Sequence, residues 1–268
     1  MSAITTTLPV ASLRRRSLPR IFFKEAKYEF LKALRLPVYS VSSIAFPVMF
    51  YVFFGVIFGH QRVAGVSMAT YFLASYGTFG VMGAALFGFG VGLAVERGLG
   101  WLQVKKASPM PPSAYFFGKV VTSSIFGMTV VVLMTAIGIA FSGVQLNASQ
   151  IVRLLATLLL GSLPFSALGI AIGSLAKPNS APAIVNMIYL PLSVCSGLWI
   201  PIEGLPPVMQ RFAHVLPPYH LNRLAQAALN IGRPESPWPH LEVLLAFTLI
   251  FLGCALLAFR RDEGKMYG

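Results

Sequence analysis

The residues whose types and spacing suggest chemistry fall in two segments, and neither is a catalytic set. The first runs Glu96-Arg97-Gly98-Leu99-Gly100-Trp101-Leu102-Gln103-Val104-Lys105-Lys106-Ala107-Ser108-Pro109-Met110-Pro111-Pro112. It joins a charged start to a short helix-capable stretch with a Trp, then stops on prolines. Such a piece suits docking into a groove on a soluble partner, with Trp101 as anchor and the charges setting orientation. An ordinary basic loop on a lipid surface has the same composition. The second segment, Gly197-Leu198-Trp199-Ile200-Pro201-Ile202-Glu203-Gly204-Leu205-Pro206-Pro207, continues through Leu216-Pro217-Pro218-Tyr219. It is too rich in proline to span a bilayer and too apolar for a solvated loop. Short helices starting after Pro206 and Pro218, half-sunk at a membrane face, fit it, as an outer gate or as a lid over the helices.

Other chemistries find no residues. The sequence holds no Gly-x-x-x-x-Gly-Lys-Ser/Thr phosphate loop, no Gly-x-Ser-x-Gly elbow and no paired catalytic acids. Gly88-x-Gly90 lacks the preceding strand that a dinucleotide loop needs. His60, His214, His220 and His240 lack metal-ligand spacing, and Cys195 and Cys254 lie in apolar runs that suit packing. No catalytic residue, cofactor or metal site is expected in this chain.

The elements that must position the two segments are apolar helices. The 268 residues are 56% hydrophobic and 11% charged, with mean hydropathy +0.74; a soluble domain carries about 25% charged residues. Six runs lack internal charge and approach the roughly 20 residues that cross a bilayer. They predict spans at about 38–59, 69–95, 119–141, 151–176, 181–198 and 240–259, within a membrane domain over 38–259. The fold class is therefore all-α integral membrane. Pro191 is expected to kink or break the fifth span. Gly80, Ala84, Gly88 and Gly92 recur at four-residue spacing in span two, with Gly169 and Gly173 in span four; small residues so spaced let helices approach closely. The aromatic residues Phe46, Phe50, Phe53, Phe54, Phe72, Phe79, Phe87 and Phe89 suit packing or lipid contact before a substrate cage.

The net charge of +13 is a topology signal. With the N-terminus cytoplasmic, sixteen lysines and arginines fall inside and five outside, as the positive-inside bias requires. This puts both termini, 96–118 and Lys177 in the cytoplasm and 199–239 at the outer face as a re-entrant helical loop. Anionic lipid is the expected partner of the excess charge, and nucleic acid is not. Residues 1–20, with Arg14-Arg15-Arg16, read as a mobile basic tail, and 260–268 as a short cytoplasmic tail. Between them and span one, over 21–37, Phe22, Ala26, Phe30 and Leu34 recur every four residues beside Phe23 and Ala33. Lys24, Glu25, Lys32 and Arg35 take the other side, giving an amphipathic interfacial helix ended by Pro37.

In this order of elements, the Glu-Arg-Gly…Trp…Ser-Pro loop and the Gly-Leu-Trp-Ile-Pro-Ile-Glu-Gly-Leu-Pro segment, the chain resembles the permease subunit of ATP-binding-cassette (ABC) transporters of the type-2 export class. The resemblance runs from Phe22 onward and departs at Gly98, where many members carry a second acidic residue. It implies that Glu96, Arg97, Gly100, Trp101, Leu102 and Pro109, with Lys105 and Lys106 in the same loop, couple to an ATPase subunit. Trp199, Pro201, Glu203, Pro206 and Pro217 belong to the segment read above as an outer gate or a lid. The resemblance further implies two ATPase subunits, which bind the ATP and Mg, and a second permease, either a copy of this chain or a related one.

The expected function is thus the pathway of an exporter in a bacterial inner membrane, moving a hydrophobic or amphiphilic compound by alternating access. A lipid-linked glycan exporter of the same architecture and a non-transport scaffold are the alternatives. The spans hold no interior Asp, Glu, His or Arg of the kind proton- or sodium-driven carriers use, which agrees with energy from a partner.

Overall fold

The computed structural model describes residues 17–264 except 58, 60, 64, 109 and 233; the side chains of 37–39, 42, 63, 106 and 259–264 are also outside the description. The sequence expectations at the N-terminal tail, His60, Pro109 and the last four residues therefore lie outside the described residues.

The chain is helical almost throughout. Helix α1 (Leu18–Leu34) starts on a proline in its first turn and closes at Arg35, ahead of Pro37. Helix α2 (Pro37–Phe50) continues as a π-helical segment over Tyr51–Val56, one turn after Pro47 withdraws an N–H from its ladder. A two-stranded hairpin follows, β1 (Arg62–Val63) pairing antiparallel with β2 (Val66–Ser67) in the register Arg62↔Ser67. Ser67 then caps α3 (Met68–Leu86), its Oγ accepting from the Thr70 N–H at 3.2 Å. A second π-helical segment (Phe87–Val91) carries α3 into α4 (Gly92–Gly98). After α5 (Trp101–Lys106) come α6 (Pro112–Phe141), α7 (Ala148–Leu160), α8 (Leu163–Leu175) and α9 (Ala181–Cys195). The remaining helices are α10 (Pro207–Ala213), α11 (Pro217–Ala228) and α12 (Trp238–Gly264), with one 3₁₀ turn at Ile202–Gly204.

Helix α3 forms the centre, buried along nearly its whole length. A helix apolar all round belongs inside a bundle, where every face finds a partner. Around it pack α6, α2, α8 and α11, with α12 laid along α8. The core residues include Tyr51, Tyr76, Phe79, Met82, Met134 and Phe165. The phenylalanines of the sequence pattern stack largely on one another: Phe50 lies against Phe79 and Trp199, and Phe54 against Phe72 and Tyr76.

Among the described residues four helical stretches are long and apolar enough to cross a membrane: Met68–Gly98, Pro112–Phe141, Ala148–Leu175 and Trp238–Ala258. Two further apolar helices, Ser43–Val56 and Ala181–Cys195, are shorter. The all-α membrane architecture stands, while several sequence boundaries move. Span two does not stop at Val95 but carries Glu96 and Arg97 on its last turn. Span three starts at Pro112 rather than Lys119, because Pro111 and Pro112 supply the helix start. Lys119 therefore lies about two turns inside α6. Span four is two helices, separated at Gly161–Ser162. Helix α9 runs through Pro191 without a break, since the proline costs only a local hydrogen bond where packing holds the rest.

The small-residue stripe of span two packs unevenly. A Cβ on Gly80 would stand 2.7 Å from Val130 Cγ1 of α6, so those two helices meet as closely as backbone allows. Ala84 is buried beside Ala33 and Phe126. Gly92 faces Lys119 Nζ, and both Gly88 and Gly92 line a cavity. The second stripe closes on the π-helical segment, with Gly169 and Gly173 against Phe89 and Leu93.

Candidate functional site

At the N-terminal end of α6 four elements bring their charges together. Helix α1 contributes Glu25, Glu29 and Lys32; α4 contributes Glu96, α5 Lys105, and α6 Tyr115 and Lys119. Lys119 Nζ donates to Glu29 Oε1 at 2.7 Å and to Glu96 Oε1 at 2.9 Å. Tyr115 Oη donates to the other Glu96 oxygen at 2.6 Å. Lys32 donates to Glu29 at 2.8 Å and also to Glu96. Beside this group Lys105 pairs with Glu25 and stands 4.4 Å above the Tyr115 ring.

The network is deeply placed. The Lys119, Glu29 and Glu96 side chains are 3%, 7% and 11% exposed, and Lys32 is 42% exposed. Isolated, each buried charge would cost several kcal/mol. Two carboxylates and two ammonium groups cancel, and each carboxylate oxygen of Glu96 has a donor, so burial is tolerated. Burial pushes the Glu29 carboxyl up, but the Lys119 and Lys32 ammonium groups outweigh that and hold it below its ordinary value. Burial likewise depresses Lys32, and Glu96 and Glu29 overcome it, leaving Lys32 raised.

The loop residues selected from sequence divide into two groups. Glu96 and Arg97 face inward: Arg97 donates to the Ser174 and Ala176 carbonyls, satisfying the open C-terminal end of α8. Leu99, Trp101 and Val104 face outward, 68%, 58% and 70% exposed. Gly100 sits at φ +73°, the left-handed conformation that turns the chain between α4 and α5. Leu102 is half-buried; Pro109 and the Lys106 side chain lie outside the described residues. Gly98 has a steric reason: a Cβ there would overlap Pro178 Cγ, leaving no room for an acidic side chain.

The segment from Gly197 onward is built as a 3₁₀ turn followed by two short helices, α10 starting just after Pro206 and α11 one residue before Pro218. Trp199 packs its ring on Phe50 at 4.7 Å and on Phe79 at 5.8 Å. Pro217 is buried, Pro201 half-buried, and Glu203 and Pro206 are exposed. Here the histidines gather although their spacing gave no sign of it. His220 Nε2–H donates to the His214 carbonyl at 2.9 Å, which leaves His220 Nδ1 to accept from His240 Nδ1–H at 2.8 Å. Burial lowers the His220 pKa. No group of three metal-ligating side chains occurs among the described residues.

Sequence pattern missed Glu25, Glu29, Lys32, Tyr115 and Lys119. The expectation put Glu25 and Lys32 on the polar side of α1, away from the protein. Instead the packed face is Phe22, Ala26, Glu29 and Ala33, with Phe22 against Phe117 and Phe30 against Phe126, while Phe23 and Leu34 stay exposed. The available signal was Glu25, Glu29 and Lys32 at i, i+4 and i+7, one helical face carrying both signs.

Comparison with known proteins agrees with this arrangement of helices. The chain is 26% identical to the transport permease YvfS of Bacillus subtilis over 240 residues, covering 90% of this chain and 97% of that protein. It is 30% identical to the inner membrane transport permease YhhJ of Escherichia coli over 191 residues, 66% of this chain but about half, 48%, of YhhJ. Residues 22–230 match the ABC-2 type transporter family, from the buried-charge helix α1 through α11. With that match spanning most of its length, the chain belongs to the ABC-2 type transporter family.

Proposed function

We propose that this chain is the membrane-spanning permease subunit of an ABC exporter in a bacterial inner membrane, working with a second permease and two ATPase subunits. The exporter moves a hydrophobic or amphiphilic compound outward by alternating access, and ATP and Mg are bound by the ATPase partner. The observation that carries this reading is the division of the Glu96–Lys106 segment. Glu96, Arg97 and Lys105 are used inside the protein, while Leu99 at the turn and Trp101 and Val104 on the short helix α5 stand exposed. An exposed aromatic flanked by aliphatic side chains is the kind of anchor that a partner groove takes up. Push on that helix is transmitted through Glu96 and Lys105 to α1 and α6, because both residues are ion-paired to those helices. The outer helices α10 and α11, with Trp199 over the aromatic core, act as the outer gate.

Affinity purification from native membrane tests the assembly, with an ATPase subunit expected in the eluate. Trp101→Ala with Val104→Ser is expected to abolish transport and the ATPase association while leaving a folded, inserted chain. Retained transport in that variant, or intact transport with a hydrolysis-dead ATPase, rejects the proposal.

A further inference from the structure

A cavity of about 660 Å³ lies against the buried ion network, between α1, α5, α6 and the stretch Phe87–Glu96. Pockets of about 300–1,000 Å³ hold ligands the size of a drug or a lipid chain. One end is polar, bounded by Glu25, Glu29, Lys32 and Lys105; the walls beyond are Leu36, Phe87, Gly88, Val91 and Val95. From Glu96 to Phe87 the helix rises roughly 14 Å, at about 1.5 Å per residue. The cavity is therefore a crevice running along a membrane-spanning helix, charged at one end and apolar along its length. The same stretch of helix leaves α-helical geometry, Phe87–Val91 being π-helical, and such segments recur at functional sites.

The charges lining the cavity cancel among themselves in the pairs described above, so they offer no net charge to a ligand. One unpaired cation stands close to the polar end. Lys24 lies one turn before Tyr28 on the same face of α1; Tyr28 lines the cavity and is 64% exposed, and Lys24 is exposed. Lys24 has no ion pair among the described residues. Trp101 lines the cavity on the α5 side, and an exposed Tyr such as Tyr28 is a residue type enriched at the bilayer interface.

We infer that this crevice is a binding site for an anionic phospholipid of the cytoplasmic leaflet, its acyl chain along Phe87–Val95 and its headgroup at Lys24. The lipid would fill the space between the interfacial helix and the span, so that α1 and the coupling loop move with a lipid held between them. The inference goes beyond the transport reading and needs no ATPase.

Native mass spectrometry of the purified chain, after exposure to vesicles of equal parts phosphatidylglycerol and phosphatidylcholine, tests it. One retained phosphatidylglycerol per chain is expected. Lys24→Gln should lower the preference over phosphatidylcholine by about fivefold, from the attraction one cation has for anionic lipid, with total lipid retention kept, while Arg35→Gln, at the other end of the crevice, should leave the preference unchanged. Val91→Phe, which fills the crevice, should lose the lipid. If that variant unfolds, Ser123→Leu fills the space from the opposite wall. Equal retention of the two phospholipids, undiminished retention in a folded filling variant, a retained molecule that is not a phospholipid, or cross-linking that seats a second copy in the crevice would each overturn the inference. Because no ATP is present, failure here leaves the exporter reading intact, and failure of ATPase association leaves this one intact.

Discussion

Lys119 has the least room to change. Its ammonium group answers two carboxylates, Glu29 and Glu96, with its side chain 3% exposed. Lys119→Met leaves a surplus buried carboxylate and should cost about 3–5 kcal/mol, read as a lower thermal unfolding midpoint in detergent. Pairing it with Glu29→Gln restores neutrality, and the double variant should recover part of that loss. Lys32→Met, at a side chain 42% exposed, should cost about 1 kcal/mol or less because water screens it. The same residues set a pH window. Glu29 is held below its ordinary 4.5 and Lys32 above its ordinary 10.5. Their contribution is fully present between those values. It declines as pH falls below 4.5 through the lowered Glu29 pKa, and again as pH rises above 10.5 through the raised Lys32 pKa. Unfolding midpoints measured across pH should show that plateau, and Glu29→Gln should remove the acid-side decline assigned to it.

Helices are held at close range where a side chain is missing. Gly80 lets α3 and α6 meet, and Gly80→Val should destabilise by about 1–3 kcal/mol through overpacking, checked by the same unfolding measurement. Gly98→Glu, which supplies the acidic residue common in this family, should be harmful here. The side chain collides with Pro178, so α4 must leave the Lys177–Asn179 turn and Arg97 must release the end of α8. Faster proteolysis at that turn would report it. These element-scale features were partly legible. The four-residue spacing of Gly80, Ala84, Gly88 and Gly92 announced a packing stripe, and Pro206 marked a helix start. Pattern did not separate Gly88, which lines a cavity, from Gly80, which touches Val130, because spacing fixes the side of a helix and not what faces it.

Across the whole molecule, the proposed orientation rests on the charge asymmetry of the connecting segments. In a variant lacking Cys195 and Cys254, Ser149→Cys, at an exposed position where the loop after α6 enters α7, should react with an impermeant thiol reagent from outside intact cells. Ser180→Cys should react only after permeabilisation. The reverse pattern would overturn the orientation and with it the placing of the coupling loop and the lipid crevice at the cytoplasmic face.

By itself the sequence determined that this is a helical membrane protein, because long charge-free runs are costly in water and need no partner to be recognised. It also determined the order of the segments that carry the family likeness. Only the tertiary structure decided what Glu96 and Lys119 do. An ionisable residue near a helix end reads as solvated, and its burial depends on charges that arrive from elsewhere in the chain. Glu29 and Glu96 are separated by most of three helices in sequence and meet at one ammonium group, so their partnership had no local pattern from which to be read.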